Sequence, residues 1–281
     1  MSPTGQTESS MPARPEVVGL VPAAGLAKRL QPFPCSKEVY PVGFVVDDTG
    51  TPRPKVAAQY LLEKFKVAGI TKAYLVIRDG KWDIPNYFRD GRLVDLSLAY
   101  IVISGSLGPP DTIDRAYPFI EQKRVAFGFP DILFGPDDAY RQLIEAQEQT
   151  GAEVVLGLHR VYNHRVWDMV DCDADGRVRS IVMKPGSTIL THGWCCAVWT
   201  PTFSNFLHRF LRAEDTSRNL ENLANRANDP GGDLAVGVVL QAALKEGLQV
   251  QSVIFSDDTY IDIGTPADLV KAVRQFHPHQ P

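Results

Sequence analysis

Residues 17–23 read VVGLVPA, a continuous apolar run with no polar face. A strand of that kind is buried on both sides, as strands are in a parallel sheet covered by helices. The rest of the first half fits the same constraint. KVAAQYLLEKFKVAGI (55–70) carries apolar residues at helical spacing and ends at Gly69, a natural C-cap. KAYLVIR (72–78) and LAYIVIS (98–104) read as strands from their β-branched and aromatic residues. DTIDRAYPFIEQ (111–122) reads as a helix, and KRVAFGFPDILF (123–134) as a strand running into a loop. DDAYRQLIEAQEQTG (137–151) is the next helix and AEVVLGLHRV (152–161) the next strand. This alternation predicts an α/β chain with a mostly parallel sheet flanked by helices.

The second half is more mixed. DADGRVRSIVMKP (173–185) reads as a hairpin turning at Asp-Gly, and GWCCAVWTP (193–201) as a strand. Helices are expected at 202–214 and 234–247, a loop at 225–233 and a strand at 248–256. YIDIGTPADLVKAVRQF (260–276) runs from a short strand into a last helix, with Thr265 as N-cap and Pro266 as first helical residue. Residues 1–15 are polar and read as a disordered tail, leaving 16–281 as one domain without repeats or linkers.

Composition excludes several classes. The net charge of −4 argues against a general nucleic-acid or membrane-surface binder, so an anionic ligand must meet local positive charge. No apolar run approaches the ~20 residues of a membrane span. Cys35, Cys172, Cys195 and Cys196 form no CxxC pair, and the adjacent pair lies in an apolar stretch, as reduced cysteines packed as small hydrophobes do. The expected location is the cytoplasm.

In sheets of this type ligands bind outside the carboxyl ends of the strands. Two charged segments fall there. After the first strand come the small residues Ala23, Ala24, Gly25 and Ala27, which let backbone amides approach a ligand, and then Arg29, whose guanidinium suits a phosphate. Lys37 lies beyond a Pro-Phe-Pro break, so the loop must fold back to bring it alongside. The plain alternative is a basic turn with solvated cations. Asp131 in GFPDILF and Asp262 in YIDIGT are lone acids in apolar strands, where a carboxylate needs a partner. Each reads as a turn or cap acid alone. Together they could hold a hard cation such as magnesium against phosphate oxygens. Lys184 before Pro185 could meet a second phosphate.

These blocks, taken in order, resemble the bacterial sugar-1-phosphate nucleotidylyltransferases, or NDP-sugar pyrophosphorylases, and most of all the glucose-1-phosphate uridylyltransferases and thymidylyltransferases. AAGLAKRLQP stands where that family has G-G-x-G-T-R-L-x-P, and SKEVYPV where it has its P/S-K-x-x-x-P stretch. PDILF, MKP and YIDIGTP match its G-D-N-I-F, E-K-P and W/Y-x-D-x-G-T blocks. The resemblance implies the nucleotide-diphospho-sugar transferase fold, a Rossmann-like mixed, mostly parallel sheet. The nucleotide-binding half would cover about 16–160 and the sugar-phosphate half about 161–276. It also implies a reaction in which a sugar 1-phosphate, favouring glucose 1-phosphate, attacks the α-phosphorus of an NTP, favouring UTP or dTTP, and pyrophosphate leaves. In it Arg29 would neutralise the triphosphate and Lys37 would contact the reacting phosphates. Ala23, Ala24, Gly25, Lys28 and Thr112 would line the nucleotide. Lys184 would hold the sugar phosphate, and Trp194 would offer a ring face or be a core residue. Asp131 and Asp262 would coordinate Mg2+. Relatives form dimers or tetramers, and no nucleic acid or membrane partner is implied. The chain ends soon after the last block, leaving no room for the C-terminal β-helix of bifunctional relatives.

The departures from the family pattern are local. Ala24 and Ala27 replace loop glycines, and Lys28 replaces the loop threonine, where it could add phosphate charge or point to solvent. Thr112 stands for the helix-start glycine in DTIDRA, and SGSLGPP (104–110) has no base-reading Gln. Met183 replaces the Glu expected on sugar hydroxyls, and Val238 an acid. Two alternatives stay open: an inactive nucleotide- or sugar-binding module, and an enzyme on a cyclitol or alcohol phosphate.

Overall fold

The computed structural model describes residues 14–47, 49–213, 234–256 and 259–276. The expected tail lies outside these except for residues 14–15, and the expected loop at 225–233 lies outside them entirely. The apolar run forms β1 (Val17–Ala23). A hairpin comes next, β2 (Pro41–Val46) and β3 (Pro52–Val56), then α1 (Ala57–Val67), β4 (Lys72–Arg78), α2 (Asp83–Phe88) and β5 (Ser97–Ile103). The predicted helix at 111–122 is two short ones, α3 (Pro109–Asp114) and α4 (Tyr117–Ile120). Pro118 has no N–H to continue the first, and sits where proline is tolerated, in the first turn of the second. The stretch 123–134 gives β6 (Arg124–Gly128) and a separate β7 (Ile132–Phe134), divided at Pro130, which cannot donate to a ladder. Then come α5 (Ala139–Thr150), β8 (Val154–Arg160), the hairpin β9 (Met169–Cys172) and β10 (Val178–Val182), β11 (His192–Trp199) and α6 (Pro201–Arg212). The described chain closes with α7 (Val236–Lys245), β12 (Val250–Ile254), β13 (Tyr260–Asp262) and α8 (Pro266–Phe276). Asp268 N–H donates to Thr265 Oγ1 at 3.3 Å, so Thr265 caps α8 as expected.

The main sheet runs β12-β8-β11-β6-β1-β4-β5. All its pairings are parallel except the two made by β11, so β11 alone is reversed in this row. β9 joins β11 at Gly193↔Met169 and carries β10. The sheet is therefore mixed and mostly parallel. The carboxyl ends of β1, β4, β6 and β8 share one edge with the start of β11.

Both faces are covered. Leu61, Phe65, Tyr140 and Leu143 of α1 and α5 pack on one face, and Phe203, Phe206, Val239 and Leu240 of α6 and α7 on the other. Gly19 in β1 has a packing cause, since a Cβ there would sit 2.7 Å from the Phe65 ring. A third, smaller core matters most for function. Leu30, Val42, Leu133, Ile261, Ile263 and Ala272 gather the loop after β1, the β2–β3 hairpin, the β7–β13 ladder and α8. Successive strand residues face opposite ways, so burying Ile261 and Ile263 turns Asp262 outward from this core.

The loop after β1 tightens into a 3-10 turn at Lys28–Leu30, and Ala27 before it is left-handed, at φ 49° and ψ 37°. The backbone thus keeps a conformation that suits glycine, while an L side chain there costs about 1–2 kcal/mol. Replacing Ala27 with glycine should raise the unfolding free energy by about 0.5–1 kcal/mol, after the extra entropy of the unfolded glycine is subtracted. Urea denaturation measures this, and an unchanged or lower midpoint would show that Ala27 carries no strain.

Candidate active site

Ala23, Ala24 and Gly25 leave the carboxyl end of β1, and side chains from the end of β4 and the turn after it hold all three of their carbonyls. Lys81 Nζ donates to Ala23 O at 2.7 Å and Gly25 O at 3.2 Å, and Arg78 Nε to Ala24 O at 3.1 Å. The same Lys81 ammonium reaches both oxygens of Glu38, at 2.7 Å each. Glu38 is 1% exposed. Burial pushes its pKa up, against the pull of Lys81 and Lys37. Asp83 at the start of α2 accepts from Ser36 N–H at 2.6 Å and Ser36 Oγ at 2.7 Å. One short segment, 78–83, therefore grips both the loop and the turn that carries Lys37. Sequence reading missed Arg78, Lys81 and Asp83. The available signal was position, since β4 lies beside β1 in parallel and its end must fall on the same edge.

Lys37 folds back as required and forms an ion pair with Asp131. Their side chains are only 18% and 13% exposed, so screening is weak. Burial works to lower the Lys37 pKa, but Asp131 and Glu38 outweigh it and hold the ammonium above its ordinary value. The β7–β13 ladder brings the second acid alongside. Asp262 pairs in register with Ile132, and Ile263 N–H donates to Asp131 O at 2.9 Å. Burial, then repulsion from Asp131, raises the Asp262 pKa to about 7, against the pull of Lys37 and Arg29. The Arg29 guanidinium lies against Gly264, where a Cβ would sit 2.9 Å from Nη2. Arg29, Lys37, Asp131 and Asp262 are thus one cluster at the strand ends. Lys28 is exposed beside it. A Cβ added to Gly25 would meet no atom within 4 Å, so the loop has open space above it.

Lys184 stands in a neighbouring group. Its N–H donates to Trp167 O at 3.1 Å, and the Trp167 ring packs edge-on against Tyr260 of β13, with centroids 4.7 Å apart. Lys184 is left-handed at φ 39°. Its charge counters the effect of burial on Asp168, a carboxyl at the start of α7 that sequence reading did not single out. Burial leads, and the Asp168 pKa stays raised.

Two expectations change. Trp194 is 5% exposed and packs against Phe127 and Phe129, so it is a core residue and offers no ring face to a sugar. β11 is buried on both sides, which leaves its aromatics nowhere else to go. Thr112 is 4% exposed, and its hydroxyl is engaged by Ser106 Oγ at 2.7 Å and Gly108 O at 3.2 Å. It shapes the 104–110 loop from behind rather than facing a ligand.

Asp131 and Asp262 also meet a chemical test for magnesium. Among the described residues no group of three or more His, Cys, Asp or Glu gathers at metal-binding spacing. Two carboxylates are the protein's usual share for Mg2+, with phosphate oxygens and water completing the shell. The mutual repulsion that raises Asp262 is what a divalent cation relieves. The donor set fits the ion and requires substrate oxygens beside it. A cavity of about 420 Å³ opens elsewhere, between α3 and α6. It is lined by Asp111, Asp114, Arg115 and His208 among others, and none of the expected site residues faces it.

Comparison with known proteins bears on the fold and the family. The chain is 24% identical over 217 residues to the glucose-1-phosphate thymidylyltransferase of Streptomyces antibioticus, covering 76% of the chain and 56% of that relative. It thus spans little more than half of the relative's length. Among solved structures, a glucose-1-phosphate thymidylyltransferase from Bacillus anthracis in complex with a sucrose superposes with a TM-score of 0.74 at 16% identity, covering 94% of this chain and 97% of that one. A UDP-glucose pyrophosphorylase complexed with UDP-glucose gives 0.71 at 15% identity, with 93% and 98% covered. At these identities the structures establish the fold, which is that of the sugar nucleotidyltransferases. The family model for nucleotidyl transferases matches residues 18–278, nearly the whole chain, and the chain belongs to that family.

Proposed function

We propose that the chain transfers a nucleoside monophosphate from an NTP to a sugar 1-phosphate, releasing pyrophosphate and forming an NDP-sugar. The observation that carries this reading is the meeting of Arg29, Lys37, Asp131 and Asp262 at the carboxyl ends of the strands, with open space beside Gly25. The names of the similar proteins favour UTP or dTTP as donor and glucose 1-phosphate as acceptor.

In this reaction an oxygen of the sugar phosphate attacks the α-phosphorus, the bond to the β-phosphate oxygen breaks, and pyrophosphate leaves with that electron pair. Two anions must be brought together, so catalysis is alignment and charge neutralisation. Arg29 would neutralise the triphosphate and the leaving pyrophosphate. Lys37, held by Asp131, would point a preoriented ammonium at the reacting phosphates. Lys184 would hold the acceptor phosphate. Asp131 and Asp262 would hold Mg2+, which when bound offsets phosphate charge.

Met183 favours a second reading. This apolar side chain, 40% exposed, comes directly after β10 and precedes Lys184, where relatives place a glutamate toward sugar hydroxyls. An acceptor with fewer hydroxyl contacts, such as an alcohol phosphate, would suit it.

A pyrophosphate-release assay with magnesium, each NTP and a panel of sugar and alcohol phosphates tests both readings. Release that requires the second phosphate, strongest with UTP or dTTP and glucose 1-phosphate, is expected. NTP binding without release for any pair would instead mark a binding module. Asp131→Asn or Asp262→Asn should lower kcat/KM by about 100-fold or more, and full retained activity would remove both from the metal site.

Asp262 also makes stability depend on pH. Its folded pKa of about 7 lies above the ordinary 3.8, so the fold binds its proton more tightly than the unfolded chain. Stability from that proton is therefore lost as pH rises from about 4 through 7. Asp262→Asn removes the buried charge. It should raise Tm at pH 8, the stabilisation behind the rise being on the order of a few kcal/mol at most, and the gain should shrink at pH 5. Thermal melts of the magnesium-free protein at both values measure it, and an equal shift at the two would refute the raised pKa.

A further inference from the structure

Lys81 on the ligand edge donates to four protein oxygens. It touches two loop carbonyls and the buried Glu38, and it belongs to no block by which the family is recognised. With Arg78 on Ala24 O, three consecutive peptide carbonyls are drawn toward the segment 78–81. In a trans, planar peptide the N–H of one residue points opposite to the C=O of the residue before it. Pulling the carbonyls of Ala23, Ala24 and Gly25 to one side therefore turns the N–H groups of Ala24, Gly25 and Leu26 to the other. That side is open: Gly25 and Leu26 are exposed, and a Cβ on Gly25 would meet nothing. Consecutive amides aimed into open space form an anion-binding concavity. Usually several glycines let a loop adopt such a path. Here residues 23–27 contain one glycine, and charged side chains impose the path from behind.

We infer that Lys81, assisted by Arg78, is a positioning residue for the donor triphosphate. It orients the loop amides and, through Glu38, fixes the turn of Lys37 to the same point. It acts through the loop and does not touch substrate, since its ammonium already serves a carboxylate and two carbonyls. The inference rests on the proposed reading of this loop as a phosphate cradle.

Inorganic tripolyphosphate, which carries neither base nor sugar, is the probe. Titrated into the 15N-labelled chain, it should shift the amide resonances of Ala24, Gly25 and Leu26. Lys81→Met should weaken its binding by about tenfold or more. In turnover the same variant should raise KM for the NTP by a similar factor and leave KM for the sugar phosphate within about twofold, with Lys81→Arg recovering most of the loss. A general structural defect would move both KM values together. If wild type fails to bind tripolyphosphate, the phosphate-cradle reading itself falls. If wild type binds it and folded Lys81→Met binds equally well with both KM values unchanged, only the role of Lys81 falls. Should Lys81→Met not fold, Arg78→Met carries the same test through the Ala24 carbonyl.

Discussion

The site depends on one short ladder. β7 and β13 pair over only three residues, yet that pairing places Asp131 and Asp262 side by side, against their repulsion. Two like charges in a poorly solvated place do not meet unless something else holds them. Here the holding force is apolar. Leu133, Ile261 and Ile263 are buried with Leu30 and Ala272, and burying each leucine or isoleucine side chain contributes roughly 1.5–3 kcal/mol. The ladder also has polar help, from Lys37 on Asp131 and from the backbone bond of Ile263 to Asp131. A small core thus keeps two acids poised in a state that a cation between them would relax.

The same core explains how a chain of net charge −4 gathers cations at this edge. Leu30, buried in it, comes directly after Arg29 and anchors the end of the loop. The other end is anchored by β1 in the centre of the main sheet. Between these fixed points the path of the loop is set by Lys81 and Arg78. Positive charge is used in two ways, then. Arg29 and Lys37 lie at the cluster of acids, while Lys81 and Arg78 stand behind the backbone. Global charge says little about such a site, because the fields that matter act over a few ångströms in a partly buried place.

The sequence exposed the frame well because its strands are apolar on both faces. VVGLVPA and KAYLVIR appear with the expected bounds, and Gly151 ends α5 in the left-handed conformation expected of a C-cap. The β2–β3 hairpin escaped, since PRPKV holds two prolines and little apolar content. β7 escaped because three residues carry no period, and its partner lies more than a hundred residues away. The acids of the cluster were legible as lone charges in apolar strands. Lys81 was not, because one lysine in RDGKWD cannot be told from a solvated turn cation without knowing what stands behind it. Trp194 stayed open between a ring face and a core position for a different reason. A tryptophan can offer a ring face to a sugar, but GWCCAVW has no polar alternation and forms a strand buried on both sides.

The reversed strand β11 has a consequence for how such a chain diversifies. Because β11 runs against its neighbours, it is its first residues that reach the ligand edge. The connection from β10, residues 183–191, therefore arrives at this edge as a surface loop, without a crossover helix packed on the sheet. A loop of that kind can lengthen at small entropic cost, about 0.6 kcal/mol for each doubling. Its residues can also change without disturbing either layer of helices. The cluster of Arg29, Lys37, Asp131 and Asp262 is tied to β1, β4 and the β7–β13 ladder, which are locked into the cores. Lys184 sits instead on a margin that can change alone, so the two parts of this edge are free to evolve at different speeds.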